Sequence, residues 1–319
     1  MNYIVIWASR AIGLAVLGWI IYLADWARFS ATIAPIAWRG LLVLPLMTVV
    51  MLALRARRWQ LLVNNGEVLL SLGRAWSIYA AGIFLGSFTP GRLGDLAKAA
   101  YLHQEYRMSW KSAAASTLLD RLLDLLVLFL CGLWAVWRLG DPRMFILLLG
   151  VMLTFGLIFA FLMKSGRIYP KPESTSVIAR GMRFFVSLRE EMRNSWNRAG
   201  RPGLGLTLAA YGVYFTQVIL LARALGLNLA VADIVAMVTL IGLAAFLPIS
   251  VAGLGTREGI LALVLAKFAV PNSLEVALLF SAGFLIFCFI VPALLGGICW
   301  LWTPLSSRSL EGIEGNVRG

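Results

Sequence analysis

The sequence predicts an all-α polytopic membrane protein of about six transmembrane helices plus two re-entrant helical hairpins, set out as an inverted repeat. Three observations carry this reading. The 319 residues are 61% hydrophobic and only 13% charged, against about 25% charged in a soluble domain. Apolar runs of around 20 residues recur along the chain, the length that crosses a bilayer core. Two further apolar stretches, 76–102 and 231–270, are each interrupted near the middle by Pro and Gly.

The elements follow in order. The first run, 4–24, is too long for the apolar region of a signal peptide, and Met1–Tyr3 carries no Lys or Arg, so it reads as a retained span. Further spans are expected at 40–54, 113–137, 144–163, 204–226 and 275–302. The stretch 76–102 breaks at Thr89-Pro90-Gly91 and the stretch 231–270 at Pro248 through Gly255. Their arms, roughly 10–17 residues at about 1.5 Å each, fall short of a core about 30 Å thick. Each stretch therefore reads as a hairpin that enters and leaves on one side; the rival is two strongly tilted spans.

Charge gives the sidedness. With both termini cytoplasmic, the inside segments 55–75, 103–112, 164–203 and the C-terminal tail hold 17 Lys or Arg, and the outside segments 25–39, 138–143, 227–233 and 271–274 hold 4. This satisfies the positive-inside rule. The net charge of +13 is then topological, and no nucleic-acid partner is expected. Residues 164–203 read as a basic cytoplasmic loop. Within it, 177–199 suits either an amphipathic helix on the inner leaflet or a solvated loop. The placement expected is the plasma (bacterial inner) membrane. Trp residues fall mostly near span ends, as interfacial anchors do.

Residues 38–137 read span, hairpin, span, and 204–302 read the same, in blocks of 100 and 99 residues. The first hairpin dips from the inside and the second from the outside. Inverted units with broken helices are a transporter signature, with the substrate held where the breaks meet.

The breaks themselves carry chemistry. Pro90 and Pro248 stop the incoming helices, and Gly91, Gly94, Gly253 and Gly255 permit the turns. Backbone left unpaired at membrane depth is tolerated only against protein or a wet cavity. The outgoing half-helices then aim free N–H groups at the breaks, an anion site that Arg92 and Arg257 either reinforce or leave alone by pairing with Asp95, Glu258 or free carbonyls. Thr256 is placed to cap the second half-helix. Asp95 and Glu258 sit in first turns, where a carboxylate complements the helix dipole or serves the site. Lys98 lies where its side chain either snorkels outward or reaches the site. In "STLLDRLLDLL", Thr117, Asp120, Arg121 and Asp124 share one helix face. Two carboxylates around one Arg form a neutralised triad, which is either a structural lock or a functional group, as a proton or cation relay or a headgroup contact. Cys131, Cys288 and Cys299 lie singly in apolar spans and His103 is the only histidine, so no metal or other cofactor is expected.

Three segments, "TPGRLGDLAKAAYL", "LLDRLLDLL" and "LPISVAGLGTREG", together resemble the membrane-domain family named for lysylphosphatidylglycerol synthases, also called flippase-like. The resemblance spans essentially the whole chain. It implies lipid translocation and carries over to Pro90, Gly91, Arg92, Gly94, Asp95, Asp120, Arg121, Asp124, Gly253, Gly255, Arg257 and Glu258. Some relatives carry a soluble aminoacyl-transferase domain after the membrane part. This chain stops at Gly319, so a stand-alone member is expected and lysyl-lipid synthesis is not carried over.

The function expected is therefore a flippase-like transporter of a phospholipid, an aminoacyl-lipid, or a polyprenyl-phosphate-linked or other glycolipid, whose partner is a membrane lipid with an anionic headgroup. The alternative is a non-transporting accessory or scaffold subunit for a lipid- or glycan-modifying enzyme. An intramembrane transferase with Asp95 or Glu258 as base is a weaker third reading; no enzyme activity is expected. A scaffold has no need of discontinuous helices, which favours the transporter.

Overall fold

The computed structural model describes residues 38–64, 68–88, 96–140, 142–163, 177–244 and 255–302, with Tyr22 and Asp25. Among these residues the fold is helical, without strands. A turn of helix at Trp38–Leu41 leads into α1 (Leu44–Val63). Then come α2 (Leu72–Phe88), α3 (Ala97–Tyr106), α4 (Trp110–Leu139) and α5 (Pro142–Met163). The second half holds α6 (Val177–Ala224), α7 (Val231–Ala244), α8 (Thr256–Lys267) and α9 (Ser273–Leu285). A π segment, Ile286–Ile290, joins α9 to α10 (Val291–Trp302).

Trp110–Leu139, Phe184–Ala224 and Ser273–Trp302 are each long and apolar enough to cross a membrane, and Phe145–Phe161 and Val231–Ala244 are shorter apolar helices. Large apolar side chains such as Ile146, Leu157, Leu294 and Leu301 point outward. That is costly in water and natural against lipid.

Local chemistry sets several boundaries. The Ser109 side chain accepts from the Ser112 N–H at 3.2 Å and caps α4. The same helix closes on Gly140, whose φ of 72° is left-handed and whose N–H reaches the Val136 and Trp137 carbonyls. Two boundaries differ from expectation. The span expected to end at 54 runs to Val63, because "RARRWQLLV" is made largely of good helix formers. The expected loop 164–203 is, from Val177 on, the first half of α6, which passes Pro202 without ending. Of the two forms expected for 177–199, the helix is the one found, and its later part packs on the bundle. Met192 is buried with Ala115 of α4, and Trp196 meets Phe159 of α5 edge-on at 5.3 Å.

The broken stretches each give a pair of short helices. In the first pair, Arg74 near the start of α2 forms an ion pair with Glu105 near the end of α3. The outer ends of the pair thus meet, next to the start of α4, where His103 faces Trp110 at 4.7 Å. In the second pair, both outer ends meet the opposite end of α4. Arg138 bonds Asp233 of α7 at 3.0 Å, and Lys267 of α8 donates to the Leu139 carbonyl. The breaks, including Pro90, Gly91, Arg92, Gly94, Asp95, Pro248 and Gly253, lie outside the described residues.

The packing partners pair off between the halves. α1 crosses α6; α2 packs on α10 as α7 packs on α4; α3 packs on α4 as α8 packs on α9; α1 packs on α2 as α6 packs on α7. Close approach needs small residues in a membrane bundle. At Gly296 a Cβ would stand 2.1 Å from the Ala80 carbonyl oxygen, whereas at Gly297 the nearest atom is a Phe84 ring carbon at 3.2 Å. A ring can turn aside and a backbone carbonyl in a packed helix cannot. Gly296→Ala is therefore expected to destabilise by about 1–3 kcal/mol or more by overpacking, and Gly297→Ala by much less. Thermal melts of the two purified variants in one detergent check the order.

Candidate functional site

Among the described residues, two charged clusters lie inside the bundle, one in each half. The first is centred on Arg58, which is fully buried in α1. Its Nε donates to Asp120 Oδ1 at 2.8 Å. Its Nη1 and Nη2 donate to the two oxygens of Asp124 at 2.7 and 3.0 Å. Nη1 also reaches Thr207 Oγ1 of α6 at 3.0 Å. One guanidinium fork thus ties α1 to α4 and α6, in the bidentate geometry that suits arginine. Lys98, the second residue of α3, donates to the remaining oxygen of Asp120 at 3.0 Å. Its Nζ lies 4.3 Å from the Tyr79 ring centroid, a cation–π contact that helps offset desolvation. The Tyr211 hydroxyl donates to the Asp124 carbonyl at 3.1 Å.

The second cluster opens α8. Gly255 holds the N-cap with φ of 85°, a conformation that favours glycine, and its N–H donates to Glu258 Oε2 at 2.6 Å. Arg257, the second residue of α8, is 2% exposed. Its Nη2 donates to Glu258 Oε1 at 2.8 Å and its Nε to Ser281 Oγ of α9 at 2.6 Å. The Ser281 hydroxyl in turn donates to Glu258 Oε1. Arg257 Nη1 is buried without a hydrogen-bond partner among the described residues. An unpaired donor on a buried cation is expensive, and it is the kind of group a bound anion would satisfy.

The profile of the lysylphosphatidylglycerol synthase TM region matches residues 6–296. The chain belongs to this family. Comparison with curated proteins and with solved structures finds no match.

Against this family background the expected site residues sort as follows. Gly255, Thr256, Arg257 and Glu258 come together at the start of α8, with Gly255 in place of Thr256 as the cap residue. Asp120 and Asp124 share a buried cluster, but the guanidinium between them belongs to Arg58, so the neutralised set expected within one helix is built across three. Arg121 is half-buried on the same helix. Lys98 does not snorkel: it is fully buried, and its stem passes over Gly82, where a Cβ would stand 2.8 Å from its Cγ. Sequence reasoning missed Arg58 and Ser281. Arg58 was counted as a loop charge because the span was ended at 54; carrying the helical pattern on through Trp59 brings it into the membrane part. Ser281 is a lone hydroxyl in an apolar span and gives no comparable signal.

No disulfide joins the three cysteines, and no group of metal-ligating side chains occurs among the described residues.

Proposed function

We propose that this protein moves a lipid with an anionic headgroup between the leaflets of the plasma (bacterial inner) membrane, as a carrier and not as a catalyst. The lipid class is a phospholipid, an aminoacyl-lipid, or a polyprenyl-phosphate-linked or other glycolipid. One observation carries the reading. Each half has a buried cation as second residue of its second short helix, Lys98 in α3 and Arg257 in α8, bonded to the long helix that follows, at Asp120 and Ser281 respectively. Matched charged sites inside a membrane bundle are costly to keep, and they suit a substrate whose phosphate must pass from one side to the other. The paired packing, and the meeting of the outer ends of the two short-helix pairs at opposite ends of α4, support an inverted repeat of 38–137 and 204–302 with re-entrant hairpins. Both termini are then cytoplasmic.

The test has two parts. Cysteines placed at Trp76 and Ser109 are expected to label from one face of the membrane, and one at Phe268 from the other; labelling of 76 and 109 from opposite faces would turn the first hairpin into two spans. In proteoliposomes, the wild-type protein is expected to expose inner-leaflet fluorescent phosphatidylglycerol to an external quencher faster than empty vesicles do. Equal rates for phosphatidylglycerol and for the other lipid classes named, with and without protein, would remove translocation and leave the accessory-subunit reading.

A further inference from the structure

Among the described residues, two buried arginine donors lack a hydrogen-bond partner: Arg257 Nη1 and Arg55 Nε. Arg55 was not among the residues the motifs singled out. It sits on α1, one turn before Arg58. Asp124, the carboxylate that Arg58 meets one turn on, already takes bonds from Arg58 at both oxygens. The charge of Arg55 is therefore not neutralised by a carboxylate of its own. Arg257, in contrast, pairs with Glu258 and still has Nη1 to spare.

The two arginines border one region. The Arg55 guanidinium carbon lies 5.8 Å from the Tyr211 ring centroid, and that of Arg257 lies 5.6 Å from the Phe284 centroid. Tyr214 joins the two rings, at 6.1 Å from Tyr211 and 6.3 Å from Phe284. Cys288 lies on the π segment, four residues beyond Phe284. That segment is also where the regular ladder of the last span is interrupted: the Phe287 carbonyl takes a bond from Thr48 Oγ1 of α1 at 3.0 Å. π segments inside α-helices are frequent at functional sites.

We infer that Arg55 and Arg257 together form a phosphate site, one guanidinium from each half, across an aromatic wall beside Cys288. The inference rests on the lipid-carrier reading and names its second cationic contact. One guanidinium N–H from each half suits the oxygens of one phosphate, and the aromatic lining suits the apolar part of a lipid. Free phosphate and a lipid phosphate share this chemistry, and the experiment separates them.

The measurement is protection of Cys288 from maleimide in the full chain carrying Cys131→Ala and Cys299→Ala. Three probes are added in detergent: phosphatidylglycerol, diacylglycerol and inorganic phosphate. The half-protecting concentration is read in place of the bare rate, because removing an arginine also changes the thiolate fraction. Phosphatidylglycerol is expected to protect and diacylglycerol not to; protection by inorganic phosphate as well would assign the site to free phosphate. Arg55→Gln and Arg257→Gln are each expected to raise the half-protecting concentration about tenfold, the loss of one charged hydrogen bond. Arg55→Lys is expected to fall between, and serves alone if Arg55→Gln yields no folded protein. Unchanged protection in the Arg55 variants with loss in Arg257→Gln overturns this inference and leaves the carrier reading standing. Unchanged protection in both, or equal protection by diacylglycerol, overturns the phosphate site altogether.

Discussion

Arg58→Met is expected to lower the stability of the purified protein by about 3–5 kcal/mol, the cost of breaking a buried ion set from one side. Asp124 would lose both of its guanidinium bonds and Asp120 one of its two cations. Both carboxylates are essentially inaccessible, so water cannot replace what is removed. Lys98 still holds Asp120, which makes Asp124 the stranded group. The companion variant follows directly. Arg58→Met combined with Asp124→Leu removes the pair together, leaves the Lys98–Asp120 bond, and is expected to recover most of the loss. Replacing a whole buried ion pair by apolar side chains is often neutral or stabilising. Thermal melts with folded yield measure both. A single variant as stable as the wild type would mean that water reaches this cluster.

Arg257→Ala is expected to slow lipid exchange between leaflets by roughly tenfold or more, the value of one charged hydrogen bond to a phosphate. Arg257→Lys keeps the charge, loses the fork and is expected to lie between. A purely structural role predicts another pattern. Glu258 would lose a cation but keep the Gly255 N–H and the Ser281 hydroxyl, so the fold is expected to weaken less than it does at Arg58. The double variant Arg257→Ala with Glu258→Gln separates the roles, since a neutral amide no longer needs the cation. If the double variant regains both stability and exchange, Arg257 is a helix-end lock and not a substrate contact. Regained stability with exchange still lost assigns it to the lipid.

Much of this was legible in the chain itself. Composition and run length determine a helical membrane protein, because continuous apolar runs of about 20 residues fit a spanning helix and not the alternating strands of about 10 residues in a barrel. The family is legible in three motifs, and the paired short helices in the Pro and Gly that interrupt two apolar stretches. Arg257 and Glu258 were found because a Gly-rich break followed by charge is unusual in an apolar run. The partnerships were decided only by the tertiary structure. The partner of Asp120 and Asp124 lies more than 60 residues away in α1, and hydrophobic periodicity says which face of a helix is inward but not which helix it meets. The extent of α1 and α6 was decided in the same way. A helix crowded with arginines looks like a solvated loop until neighbours with carboxylates and aromatic rings make it cheaper to bury those arginines than to end the helix.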